Sequence, residues 1–148
     1  MSIRDLISSS LSEFDSYYAL KNLKNSQLIL EYIKGEPIGF AELKRWGKIG
    51  IIFYLGVLPK FRGRGIGKKL VLRAEDVFRE KGLEFSLAST RSWNKPAMKM
   101  FESLGYKFFN IDNVSDKIVY ILNAYDDNTV VCKELVKGVE CEKLVHSG

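Results

Sequence analysis

The chain of 148 residues holds one histidine, two cysteines and one glutamine. It has no apolar run near the ~20 residues a membrane-spanning helix needs. The histidine, His146, lies close to the C-terminus, and Cys132 and Cys141 have neither the spacing nor the neighbouring histidine of a metal site. The N-terminal stretch MSIRDLISSS has an early acid and no long apolar segment, which argues against a secretory leader and for a cytoplasmic setting. The cysteines read as two small half-buried residues. The alternative is a disulfide across a late hairpin, unusual in a cytosol unless the source is a hyperthermophile. The single glutamine among many Lys and Glu leans that way. No repeat, linker or low-complexity segment stands out.

What is present is an ordinary globular composition, 46% hydrophobic and 28% charged. The length fits one domain over residues 1–148, with a core at 26–122 and a C-terminal extension at 123–148. The net charge is +5. Lys60 to Lys81 carries eight basic residues against three acidic ones, so this segment accounts for the whole excess. Arg79 and Lys81 suit a solvated helix face. The cluster around the glycines suits a bound polyanion, either nucleic acid or a phosphorylated cofactor.

Apolar spacing over 4–23 is helical and fits one helix or two short ones. LILEYI (28–33), IGFAELK (38–44) and IGIIFYLGV (49–57) read as an antiparallel meander, with tight connections at KGEP and Trp46-Gly47-Lys48. The third strand is nearly all apolar, as expected of a central strand buried on both faces. A helix follows from Lys68 to Lys81, stopped by Gly82, then a strand FSLAST (85–90). Pro96 opens a second helix, which Gly105 closes. YKFFNI (106–111) and KIVYIL (117–122) read as strands, and 129–145 as a hairpin around Lys137-Gly138. Strand, helix, strand in the middle implies a parallel pair inside a mixed α/β sheet.

The stretch VLPKFRGRGIGKKL (57–70) puts three glycines in five residues between a buried strand and a helix. A Walker A loop would need glycine at 62 and Ser or Thr at 69, where Arg62 and Lys69 stand. A dinucleotide fingerprint fails because the spacing is Gly63-x-Gly65-x-Gly67. What remains still fits anion capture. Glycines let main-chain N–H groups approach a ligand, and a helix N-terminus adds unsatisfied donors and the positive end of its dipole.

Arg62-x-x-Gly65-x-Gly67 after a V-x-P strand end resembles the signature of the GNAT superfamily of N-acetyltransferases. A second signature, N-x-x-A-x-x-x-[YF]-x-x-x-G-[FY], is matched by Asn94, Ala97, Phe101, Gly105 and Tyr106. The resemblance covers roughly Leu28 to Leu122. It implies a GNAT-like fold, a mostly antiparallel sheet whose parallel pair splays at the cofactor site, flanked by helices. It implies acetyl-CoA as cosubstrate, no metal, and transfer of acetyl to an amine by direct attack. Leu55, Gly56 and Val57 would pair with the pantetheine arm and offer a main-chain N–H to the thioester carbonyl. Arg62, Gly63, Arg64, Gly65, Ile66, Gly67 and Lys68 would wrap the pyrophosphate. Asn94 would bond the pantetheine, Phe101 would lie on the cofactor side, and Lys95 or Lys99 could reach the adenosine phosphates.

Three departures from the family pattern follow. The usual acid, a tyrosine four residues before the motif glycine, is Phe101 here, which has no proton to give. A general acid is worth ~10²–10⁴-fold, but a thiol of pKa ~8.5 leaves tolerably unassisted. Tyr54 and Tyr106 are the substitutes. The central strand has no carboxylate, and a second base position, five before the motif asparagine, is Ser89. Glu42, then Glu31, are the nearest acids, with Glu42 the first choice. An α-amine (pKa ~8) needs less help than a lysine amine (~10.4), which favours a protein N-terminus or small amine over a lysine. Finally, only Met1 to Ile3 precede the first helical pattern, so the family's first strand is missing, and the late hairpin is free to cover the exposed edge or join a second copy in a homodimer. Phe14, Tyr17 and Tyr18 would line the acceptor cleft. A catalytically weak acyl-CoA-binding regulator is the alternative. A nucleic-acid module ranks last, because Phe61 is the one aromatic in the basic stretch.

Overall fold

The computed structural model describes residues 1–147. It divides into two units, one of Met1–Lys44 with Ile52–Asp76, the other of Arg45–Ile51 with the chain from Val77 on. In the first, Ser2 and Ser12 each cap a helix by accepting from the N–H three residues on, Asp5 and Asp15, both at 3.1 Å. The second cap splits the apolar rhythm of 4–23 into α1 (Ile3–Ser10) and α2 (Glu13–Asn22). Strand β1 (Gln27–Ile33) turns through Lys34 and Gly35, both at positive φ (51° and 79°), into β2 (Glu36–Trp46). That is the I′ geometry of a two-residue hairpin. The pairing is antiparallel and sets Leu28 opposite Glu42 and Glu31 opposite Gly39.

Strand β3 (Ile49–Val57) ends in a short 3-10 turn at Pro59–Phe61, and α3 (Ile66–Glu80) follows. The helix begins two residues before the expected Lys68 because the Gly65 carbonyl already accepts from Lys69 N–H at 3.1 Å. Leu6, Ile7, Ala19 and Phe40 form a core in this unit, with Tyr54 and several leucines packed on it.

In the second unit β4 (Phe85–Thr90) runs parallel to β3, with Ile49–Ile51 opposite Phe85–Leu87. Then come α4 (Lys95–Ser103), β5 (Lys107–Asn110), α5 (Asp116–Leu122), β6 (Thr129–Glu134) and α6 (Cys141–His146). The sheet order is β1-β2-β3-β4-β6-β5, with β3 central and one parallel pair, the mixed sheet expected.

Two expectations are corrected. KIVYIL (117–122) is helical, not a strand. Ser115 accepts from Ile118 N–H, Asp116 sits in the first turn, and Asn123 ends the helix in the left-handed conformation (φ 51°). Ile118, Ile121 and Leu122 are buried at i, i+3, i+4, a helical face that the β-branched composition disguised. Residues 129–145 form no hairpin either. Strand β6 inserts antiparallel between β4 and β5, so it lies inside the sheet rather than over an edge. Its continuation is α6, whose buried residues Cys141 and Val145 are four apart. Cys132 and Cys141 are fully buried and joined as a disulfide, one of the two alternatives open in the sequence. Among the described residues no strand precedes α1.

Candidate active site

The phosphate-type loop lies wholly in the first unit. Gly63 and Gly65 take positive φ (78° and 79°), a conformation that strains any residue with a Cβ. A Cβ built at either glycine would meet no atom within 4 Å, so the reason for glycine there is backbone conformation and access, not packing. Gly65 immediately precedes α3 and has no side chain with which to cap it. The first amides of this 15-residue helix, Ile66, Gly67 and Lys68, therefore have no partners within the helix itself. Arg64 and Lys68 are exposed beside them. The Arg64 guanidinium stands 5.3 Å, and Lys60 Nζ 5.7 Å, from the centre of the Phe61 ring. An anion would meet a run of backbone donors, the helix dipole and two cations in one place.

Arg62 behaves differently from Arg64. Its Nε donates to Val57 O at 3.0 Å and its NH2 to Ser10 O at 2.9 Å. Gly56 is buried, and a Cβ there would come within 2.5 Å of Phe40 and 2.8 Å of Ser10, so the end of α1 seats directly on the β3 backbone. Leu55 and Val57 are half-buried. The parallel ladder ends at the Ile51–Leu87 pair, and β3 runs on to Val57 past it.

Glu42 is fully buried on β2. Its Oε1 accepts from the Ser26 hydroxyl at 2.8 Å, while Oε2 has no hydrogen-bond partner among the described residues. Burial pushes its carboxyl above the ordinary value of 4.5, against the opposing pull of the Ser26 hydrogen bond and the Lys44 charge. Lys44 donates to Asn22 Oδ1 at 2.9 Å and stands 4.0 Å above the Phe53 ring. Burial lowers its pKa, and the Glu42 charge opposes the shift. The pair thus drifts toward neutrality from both sides. Glu31, the other candidate acid, accepts from Arg73 at 3.0 Å and lies 3.5 Å from Lys69 Nζ. Tyr54 is half-buried, its ring edge-on to Phe53 at 4.9 Å.

In the second unit Asn94 caps α4, its Oδ1 accepting from Ala97 N–H at 3.3 Å. Phe101 is 4% exposed and packs edge-on against Tyr106 at 5.0 Å, a core position. The Tyr106 hydroxyl is buried and paired with Ser86 at 2.7 Å. Ser89 carries a partner that the sequence did not advertise: its hydroxyl donates to Asp127 Oδ2 at 2.6 Å, with Arg91 3.6 Å from the other oxygen. Thirty-eight residues separate the two, so no local pattern could have paired them.

The model of the acetyltransferase (GNAT) family matches residues 2–106. The chain belongs to the GNAT acetyltransferase family. Among curated relatives, the mycothiol acetyltransferase of Thermobifida fusca is 33% identical over 64 residues, 43% of this chain. The chain spans only a fifth of that relative's length. Two solved N-acetyltransferase structures share the fold. The PaiA N-acetyltransferase of Thermoplasma acidophilum, bound to coenzyme A, is 19% identical with a TM-score of 0.64, covering 90% of this chain and 95% of its own. The ribosomal-protein-S18-alanine N-acetyltransferase of Escherichia coli is 15% identical, also at 0.64, covering 95% and 94%. At those identities the likeness speaks for the GNAT architecture alone.

Proposed function

We propose that the chain is an N-acetyltransferase that takes acetyl from acetyl-CoA and delivers it to a primary amine. The observation that carries this is the loop at 63–68, where two positive-φ glycines lead into the N-terminus of α3 beside Arg64 and Lys68. Its backbone donors and cations fit a pyrophosphate. Gly63 to Lys68 would hold that group and Leu55 to Val57 the pantetheine arm. Acetyl-CoA supplies the activated thioester.

The chain's own residues have three tasks: to take a proton from the amine, to polarise the carbonyl and to protonate the departing thiolate. A main-chain N–H among Leu55 to Val57 serves the second. Glu42 is the proton acceptor, acting through Oε2. Its side chain is closed to solvent, so the proton would have to reach it through an intervening water. Tyr54, half-buried on the same β3, is the donor in place of Phe101. An α-amine or small low-pKa amine suits so enclosed a base better than a lysine. The disulfide bears on setting: such bonds persist in oxidising compartments and in hyperthermophile cytosol, so a cytoplasmic location goes with a hyperthermophile source.

A release assay for free thiol, run with acetyl-CoA and a panel of amines and N-terminal peptides, tests the reading. Turnover with at least one amine is expected. Silence across the panel despite thermal stabilisation by CoA would favour the second reading, an acyl-CoA-binding regulator, which the buried Phe101 at the acid position supports. Absence of any CoA stabilisation would sink both.

A further inference from the structure

We propose that Arg62 is a positioning residue that ties the phosphate loop to the C-terminal end of α1, so that the α1–α2 pair follows the state of the loop. The proposal builds on the acetyl-CoA reading, but the tie itself stands on separate observations. A phosphate ligand would aim its guanidinium at the anion. Arg62 instead spends Nε and NH2 on two main-chain carbonyls, those of Val57 and Ser10.

Both carbonyls sit at element ends. Val57 is the last residue of β3, and Ser10 is the last of α1. The last carbonyls of a helix have no partner within it and carry the negative end of its dipole. Helix α1 has no basic residue in its own last turn. Arg62, 52 residues along the chain, supplies that missing charge. The seat is close: Ser10 lies where a side chain at Gly56 would have to go, and its hydroxyl is tied back to Leu6 O at 2.6 Å.

The connection continues into α2. Leu11 N–H bonds Ile7 O at 3.1 Å, and the buried Ser16 hydroxyl reaches both Ile7 O and Leu11 O at 3.4 Å. The two helices are thus laced at their joint, and α2 presents Phe14 and Tyr17 to solvent. Arg62 directly precedes Gly63, the first positive-φ residue of the loop. Any rearrangement of the loop around an anion therefore pulls on Ser10 O, and through it on residues 3–22.

Hydrogen exchange on the full chain, read by mass spectrometry, tests this with wild type, Arg62→Gln and Arg62→Lys. Without ligand, Arg62→Gln is expected to speed exchange in residues 3–12, and Arg62→Lys to do so less, since one ammonium cannot hold both carbonyls in the fork geometry. Unchanged exchange in both variants overturns the tie, whatever the loop binds. With CoA, wild type is expected to gain protection in 3–22 as well as at 62–70. Arg62→Gln is expected to keep the second and lose the first, with CoA affinity within about threefold of wild type. A loss of affinity of about tenfold or more, the scale of a lost charge-assisted phosphate contact, would instead make Arg62 a ligand and overturn the proposal. If Arg62→Gln does not fold, the Lys variant carries the same comparisons. Failure of wild type to bind CoA would count against the acetyl-CoA reading, and the ligand-free arm would still decide the tie.

Discussion

Glu31 and Glu42 sit on neighbouring strands of the first unit, 8% and 0% exposed, and their surroundings differ sharply. Glu31 meets two cations from α3, Arg73 at 3.0 Å and Lys69 at 3.5 Å, and Arg73 also binds the Leu30 carbonyl beside it. It fastens α3 to β1. Glu42 has one hydroxyl, one nearby ammonium and an oxygen that, among the described residues, has no donor. Burial raises the affinity of Glu42 for a proton, against the pull of Ser26 and Lys44. Glu31 is instead held by two cations in an ion pair.

The largest test of this contrast is activity. On the proposed assignment Glu42→Gln lowers kcat/KM by ~10²–10⁴-fold, while Glu31→Gln leaves it near wild type. Equal effects from both, measured by thiol release, would erase the distinction. Next, Lys44→Met removes a charge that holds the Glu42 proton affinity down. The acid limb of the pH–rate profile should move to higher pH, and an unmoved limb would mean that Glu42 is not the titrating group. Third, stability should respond with opposite emphasis. Glu31→Gln is expected to cost about 1 kcal/mol, because Arg73 loses a nearly buried partner, read as a lower urea midpoint.

The smallest effect is one of sign. Glu42 in the fold has a raised pKa, so as pH climbs from 4.5 the unfolded chain gives up this proton first. Its contribution is fully present below 4.5 and is lost as pH rises through the folded value. Wild type should therefore lose stability relative to Glu42→Gln as pH rises above 4.5. A gap that stays constant or moves the other way contradicts the burial effect.

Much of this was legible without coordinates because the signals are local. Strand IGIIFYLGV was delimited to the residue by its apolar run and flanking turns, and FSLAST likewise. The glycine spacing at 63–67 excluded two other loops, and together with the second motif from Asn94 to Tyr106 it pointed to one family. The two errors came from the C-terminal third, where α5 and α6 have seven and six residues. Over such lengths a helical face comprises two or three residues, and KIVYIL then reads as well as a strand. The disulfide belongs to the same class of difficulty: nine residues apart, Cys132 and Cys141 meet only because α6 folds back on β6.

By itself, the amino-acid order determined the glycine-rich loop, the central strands and the family, since each is written in contiguous residues whose conformational preferences act over a few bonds. Tertiary structure alone decided what the polar side chains do. Ser26 reached Glu42 across 16 residues, Asp127 reached Ser89 across 38, and Ser10 received Arg62 across 52. Hydrogen bonds and desolvation depend on distance in space, and chain separation carries no record of that distance until the sheet has been assembled.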